Sequence, residues 1–340
     1  LRINNFRNLG VKFHINKLTL GYGNWDQWWG PGIHNSIVLT NNAEGFDHFF
    51  VESNGIIPIN NNKILYDFKY VVSDKIKNQN KNYFYLTSSF LKIRFKNFEL
   101  GASKQILSGG NSDLDWGLRE ASMVLVTNRN INQWDQIYDI FLLYHTPYSG
   151  LKVFFEMGFP NRFFSGKNIS DYRDHAMGSN LGLRKYGVFN IDELMFGVEY
   201  TRLVQGIYYN VLPTSNWYDN HKYDYSSFNG RRWAAHSGAD SDDFLLYAGY
   251  LKGDFSLISG INYERHGVTY HFPPEVKLEY KLAASVKYRN TFVYINYENE
   301  YFEHYGFVDS NENVWLETFE NYSIQRTQTV LISIEYRFPL

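Results

Sequence analysis

The sequence predicts an all-β chain: a transmembrane antiparallel β-barrel of about fourteen strands, with long extracellular loops and an inward-folded plug segment. Three observations lead there. Apolar and polar residues alternate with a period of two over stretches longer than soluble sheets use. Aromatic residues make up 19% of the chain and gather near the ends of those stretches. Short and long connections take turns along the chain, as they do when one side of a barrel faces the periplasm and the other the exterior.

The alternation is plainest from Val276 to Tyr288, where Val276, Leu278, Tyr280, Leu282, Ala284, Val286 and Tyr288 share one face. Lys277, Glu279, Lys281, Ala283, Ser285 and Lys287 take the other. Val330, Ile332, Ile334, Tyr336 and Phe338 repeat the pattern, as do Ile64, Tyr66, Phe68, Tyr70 and Val72, and Leu194, Phe196, Val198 and Tyr200. Such a strand has lipid on its apolar face and water on its polar face. A soluble sandwich uses shorter strands.

Tight turns are expected near Lys96-Asn97, 147–150, 187–191, Gly253-Asp254 and Arg289-Asn290. Longer connections fall at 107–135, 160–174, 205–240, 267–275 and 305–322. Counting back from a last strand that ends in the periplasm places strands near 11–22, 46–53, 64–75, 83–95, 97–107, 136–146, 151–160, 175–186, 192–204, 241–252, 255–267, 276–289, 291–304 and 323–338. Residues 24–45 and the loop 205–240 then open on the extracellular side.

Composition excludes several classes. Apolar runs such as Ile140 to Tyr144 are far shorter than the roughly 20 residues of a spanning helix. A net charge of -2 argues against a nucleic-acid footprint, and the lack of cysteine removes disulfides, thiolate metal sites and thiol catalysis. The chain starts at Leu1 with no signal peptide, so its N-terminus is expected to be incomplete, and residues 1–340 are treated as a single barrel domain.

Residues 24–45 are neither strand nor ordinary loop. Trp25, Trp28 and Trp29 run into Gly30-Pro31-Gly32, which forces a sharp turn, and the stretch ends in the polar pair Asn41-Asn42. Such aromatics either pack inside the barrel or meet a ligand. Sugars present apolar C–H faces to rings and hydroxyls to fork-like polar groups, so tryptophans beside Arg231, Arg232, Trp233, Asp240 and Asp242 supply both halves of a glycan surface. The other reading is a lumen-closing plug with no ligand.

Trp28-Trp29-Gly30-Pro31-Gly32, followed by Ser36-Ile37-Val38-Leu39-Thr40-Asn41-Asn42-Ala43, resembles the signature of the capsule assembly Wzi family of outer-membrane proteins. Phe228-Asn229-Gly230-Arg231-Arg232, with His236, Gly238, Asp240 and Asp242, is similar to a later segment of that family. The resemblance implies an outer-membrane barrel of about eighteen strands in a Gram-negative bacterium that acts as a lectin and holds capsular polysaccharide at the cell surface. This sequence departs from that pattern at its start, with about fourteen strands and no N-terminal helical portion.

The remaining constellations are weaker. Asp240-Ser241-Asp242-Asp243 lacks the glycine and distal glutamate of a calcium loop and reads as a solvated acidic loop. His221, His236, His266 and His271 match no zinc spacing. Glu298 with Glu300, and Glu193 with Glu199, share strand faces without a geometry that places them across a scissile bond. With no nucleophile elbow, phosphate loop or His-Glu-x-x-His, the chain reads as a non-enzyme with no cofactor. Its expected partners are capsular or exopolysaccharide, outer-membrane lipid and another outer-membrane protein. Ser256, Ser259 and Gly260 offer a faint small-residue stripe for the last. A diffusion porin and a structural subunit of a larger assembly are the alternatives.

Overall fold

The computed structural model of the chain describes residues 9–55, 57–59, 64–77, 83–109, 122, 124–125, 134–147, 149–160, 177–204, 217–218, 221–228, 231–269, 273–305 and 324–336. Most of the long connections at 107–135, 160–174 and 305–322 and part of the one at 205–240 lie outside them, as do His271, Asn229 and Gly230 and the side chain of His221.

Most of the described chain is strand, and seventeen strands form one sheet. They are β1 (Gly10–Ile15), β2 (Leu18–Gly23), β3 (His48–Ser53), β4 (Ile57–Ile59), β5 (Ile64–Ser73), β6 (Ile76–Lys77), β7 (Tyr83–Phe95), β8 (Phe98–Gly109) and β9 (Asp135–His145). They continue with β10 (Leu151–Pro160), β11 (Gly178–Val188), β12 (Ile191–Arg202), β15 (Ser241–Lys252), β16 (Phe255–His266), β17 (Glu275–Tyr288), β18 (Thr291–Glu303) and β19 (Ile324–Tyr336). Two short strands, β13 (Ser227–Phe228) and β14 (Arg231–Arg232), make a separate hairpin.

The expected single strand at 11–22 is two. Val11, Phe13 and Ile15 hold odd positions, whereas Leu18, Leu20 and Tyr22 hold even ones, and a two-residue turn at Asn16-Lys17 makes that change of phase. Asn16 takes φ 54°, the left-handed conformation such a turn requires, and Ile15 then faces Leu18. With β4 and β6, which the alternation is too short to reveal, this split separates the fourteen expected strands from the seventeen observed.

The chain divides into two compact units. The first holds Leu1–Tyr144, Phe154–Asn180 and Gln205–Ala239. Its strand register sorts side chains cleanly: Tyr66, Phe68, Leu91, Ile93 and Leu100 share one face, and Asp67, Lys69, Lys92, Arg94 and Glu99 the other. On the charged face, Lys69 pairs with Glu52 at 2.8 Å, and Arg94 pairs with Glu99. Toward one end of β7 and β8 the opposite face turns polar with Thr87, Ser89 and Lys104. There it is covered, for Val124 and Trp134 pack on Ile106 and Tyr70.

The second unit holds His145–Val153, Leu181–Val204 and Asp240–Leu340. Its apolar face carries Phe196, Leu246, Ile261, Leu278 and Ile295, with aromatic rows toward each end: Tyr200, Phe244, Tyr263 and Tyr301 in one, and Tyr250, Phe255, Tyr288 and Tyr336 in the other. The polar face is a ladder of charge. Lys277, buried, reaches Glu279 at 2.7 Å, Glu300 at 3.1 Å and Glu264 at 3.3 Å, and Lys281 also reaches Glu279 at 2.7 Å. Register splits the expected small-residue stripe: Ser259 lies on the apolar face, while Ser256 and Gly260 lie on the polar one.

Candidate functional site

Residues 24–47 leave β2, cross the polar face of the first unit's strands and return at β3, so the sequence-marked segment folds inward. Trp25 seats first. Its ring lies over the backbones of Gly10 and Gly23, where any side chain would collide with it, and it meets Phe50 edge-on at 5.4 Å. Lys12 Nζ stands 4.6 Å above the indole, a cation–π contact.

The turn follows. The Trp28 indole N–H donates to the Gly32 carbonyl at 2.9 Å, closing Gly30-Pro31-Gly32 under a half-buried ring. Trp29 is 2% exposed against Phe90, and its N–H donates to Gln27 Oε1 at 3.3 Å. Gln27 Nε2 in turn stands 3.1 Å from His48 Nε2. The Trp29 amide donates to the Leu39 carbonyl at 3.0 Å, so the segment closes on itself as a loop.

Beyond the turn, residues 35–40 are fully buried and need partners for their backbone. Glu156 of β10 provides one: its Oε1 accepts the Ile37 N–H at 2.8 Å, and its Oε2 accepts from Asn180 Nδ2 at 3.2 Å. Asn180 of β11 also donates to the Asn35 carbonyl at 2.9 Å. From the other side, Tyr218 O–H donates to the Ile37 carbonyl at 2.5 Å, and Asn35 Oδ1 accepts the His236 N–H at 2.7 Å. Burial pushes the Tyr218 hydroxyl far above its ordinary pKa, which keeps it a neutral donor. Thr40 completes the join, its amide donating to the Trp233 carbonyl at 2.6 Å and its hydroxyl to the Ala234 carbonyl at 2.6 Å. Segment 24–47 and the described part of 217–239 are therefore one folded body.

Glycine again permits the approach. A Cβ at Gly158 would stand 2.6 Å from Ile37 Cγ2 and 3.0 Å from the Trp217 ring.

The structure brings most of the sequence-marked residues of the first unit into this body. Trp29 and Trp233 are buried in it, the latter between Phe46 and Phe84 at 6.0 and 6.2 Å. Trp25 and Trp28 remain half-buried, and the Asn42 amide donates to Thr40 Oγ1 at 3.2 Å beside an exposed Asn41. Arg231 and Arg232 sit on the β14 side of the small hairpin, Arg231 exposed and Arg232 tucked under Gly238. Gly238 has φ 76°, and a side chain there would strike the Arg232 guanidinium. Burial lowers the Arg232 pKa, with Tyr218 opposing the shift.

Asp240 and Asp242 belong to the second unit and have local partners. The Asp240 carboxylate accepts the Thr269 N–H at 3.0 and 3.1 Å, bracing the β16–β17 connection. Asp242 opens β15 on its apolar face, paired with Arg265 through two hydrogen bonds, one at 2.8 Å. Asp243 is buried on the opposite face and accepts from Asn262. The acidic run is thus the start of a strand rather than a solvated loop, and its three carboxylates turn to three separate partners. Two of the histidines are partnered as well: the His236 ring lies tilted against that of His34 at 4.7 Å, and His266 stands between Glu275 at 2.8 Å and Glu264 at 3.0 Å.

The residues that sequence reasoning missed are Glu156, Asn180 and Tyr218; Thr40 lay inside the marked segment, but its role did not show. Glu156 left a trace, as a lone carboxylate inside the apolar run Val153-Phe154-Phe155-Glu156-Met157. Asn180, Tyr218 and Thr40 are ordinary polar residues whose partners lie 145 to 194 residues away.

No family model matches the sequence, and no curated protein matches it. Among solved structures, the fold is similar to that of Wzi from Escherichia coli, described as an outer membrane protein involved in group 1 capsule assembly and a carbohydrate binding β-barrel. The TM-score is 0.69 at 14% identity, over 88% of this chain. The chain spans 66% of that structure's length. The fold is therefore that of a large antiparallel β-barrel, in agreement with the class expected from the alternation.

Proposed function

We propose that this chain is a non-enzymatic outer-membrane barrel of a Gram-negative bacterium that binds surface polysaccharide, with residues 24–45 closing its lumen. One observation carries the reading: a buried aromatic body is locked onto the polar face of the strands by Glu156, Asn180 and Tyr218, while other aromatic and polar side chains of the same body stay accessible. Trp29 and Trp233 serve closure, being too deeply buried to touch a ligand. Trp25, Trp28, Asn41, Asn42 and Arg231 are the glycan-facing set, with Arg232 held behind them. A long polymer touching several such weak sites is held by multivalency rather than by one deep pocket. Two further observations support the membrane setting: the apolar strand faces end in aromatic rows, and the fold resembles a barrel described as carbohydrate binding.

The test is retention of polysaccharide. Capsule-producing cells that lack their own retaining barrel are given this chain, and cell-bound and released polymer are compared. The expected result is a rise in the bound fraction, lost several-fold in a Trp28→Ala, Arg231→Ala double variant that still folds. A bound fraction no higher than in cells carrying an empty vector overturns the reading.

A further inference from the structure

On the described strands of the second unit, charged side chains of the apolar face lie toward the strand ends, and at one place they are grouped. Strand register sets Arg202 of β12 opposite Asp242 of β15, and Asp242 opposite Arg265 of β16, all three on the face that carries Phe196, Leu246 and Ile261. Two arginines therefore flank one aspartate in a row, separated by about 10 Å across two strand spacings. Directly beneath them runs the aromatic row Tyr200, Phe244 and Tyr263. Arg265 grips Asp242 in a fork, and the Asp242 side chain is only 12% exposed, while Arg265 keeps 41% of its own exposure. Arg202 is exposed.

This is the end of the strands from which the connections 203–240 and 267–274 leave. The tight turns at Phe189-Asn190, Gly253-Asp254 and Arg289-Asn290 mark the other end. On the outer-membrane reading, on which the inference rests, the row stands just outside the hydrocarbon, at headgroup level on the extracellular side. A guanidinium there is costly against acyl chains and favourable against an anionic headgroup, and its planar fork suits phosphate oxygens. Asp242 fixes Arg265 in place before any lipid arrives.

We propose that Arg202 and Arg265 form a docking site for the phosphate groups of a phosphorylated glycolipid in the surrounding outer leaflet. Asp242 acts as the positioning residue that holds Arg265.

The experiment uses the full chain purified in detergent and native mass spectrometry of retained lipid. The probes are a bisphosphorylated diglucosamine glycolipid and the same lipid after enzymatic removal of its phosphates. The wild type is expected to retain the phosphorylated form preferentially, and Arg202→Ala with Arg265→Ala to lower that retention about ten- to thirtyfold, down to the dephosphorylated level. Arg202→Ala alone leaves the Arg265–Asp242 pair intact and is expected to give an intermediate loss, which guards against misfolding of the double variant. Equal retention of the two lipid forms by the wild type overturns the proposal. So does undiminished retention by folded variants, or displacement of the lipid by millimolar inorganic phosphate that itself binds just as well. Fractionation of the chain away from outer membranes would instead sink the membrane reading, whatever the lipid result.

Discussion

Glu156 shows how one side chain sets the position of a long buried segment. Residues 35–40 bring backbone groups onto the sheet where no strand can pair with them, and a buried amide without an acceptor costs about 1–3 kcal/mol. One carboxylate answers both the Ile37 amide and the Asn180 side chain. Glu156→Ala is expected to destabilise the protein by about 2–5 kcal/mol, since the Ile37 amide, the Asn180 amide and the Ser36 hydroxyl lose an acceptor together. Glu156→Gln, which keeps a carbonyl oxygen, should recover much of that. Urea midpoints for the shift in gel mobility of the folded barrel measure both. The same reasoning separates the tryptophans: Trp233 is braced by rings and holds the Thr40 amide, so its loss is a packing defect, whereas Trp28 has a half-exposed ring, the one that the proposed function turns to the sugar.

At the scale of elements, the β1–β2 hairpin is decided by its turn. Asn16 stands at φ 54°, which asparagine tolerates and a β-branched residue does not. Asn16→Val is expected to cost about 1–2 kcal/mol and Asn16→Gly close to nothing, read from the same urea midpoints. The hairpin matters because Lys12 and Gly10 of β1 and Gly21 and Gly23 of β2 form the seat of Trp25 and Phe50. On the other unit, β16, β17 and β18 are tied by the Lys277 and Lys281 ladder, in which Lys277 stands between Glu279 and Glu300, two carboxylates directly across from one another.

At the scale of the whole molecule, closure of the lumen is the proposed consequence of the 24–47 body, and conductance checks it. In planar bilayers the wild type is expected to conduct little. Gly158→Val should raise the conductance, because a branched side chain has no room beside Ile37 and Trp217, and such overpacking costs about 1–3 kcal/mol. A wild type that conducts like an open pore would favour a diffusion porin. An unchanged conductance in a folded Gly158→Val protein would show that this contact does not hold the closure.

The sequence alone determined what depends on local order. The period-two alternation fixes which face of each strand is apolar, because neighbouring side chains point to opposite sides of a sheet whatever the partner strand. That alternation predicts one strand over 11–22 and not the turn at Asn16-Lys17; the structure showed the change from odd to even apolar positions there. Trp25, Trp28 and Trp29 stood out because large aromatics beside a Gly-Pro-Gly turn need a special environment, and Arg231, Arg232 and Trp233 because such residues together supply the polar forks and ring of a glycan surface. The tertiary structure alone decided what fills that environment. Glu156, Asn180, Tyr218 and Thr40 act through hydrogen bonds to residues more than a hundred positions away, and no local pattern records such partners. It likewise supplied local partners for Asp240 and Asp242 that sequence proximity does not show: the Thr269 amide for Asp240, and Arg265, set directly across by strand register, for Asp242.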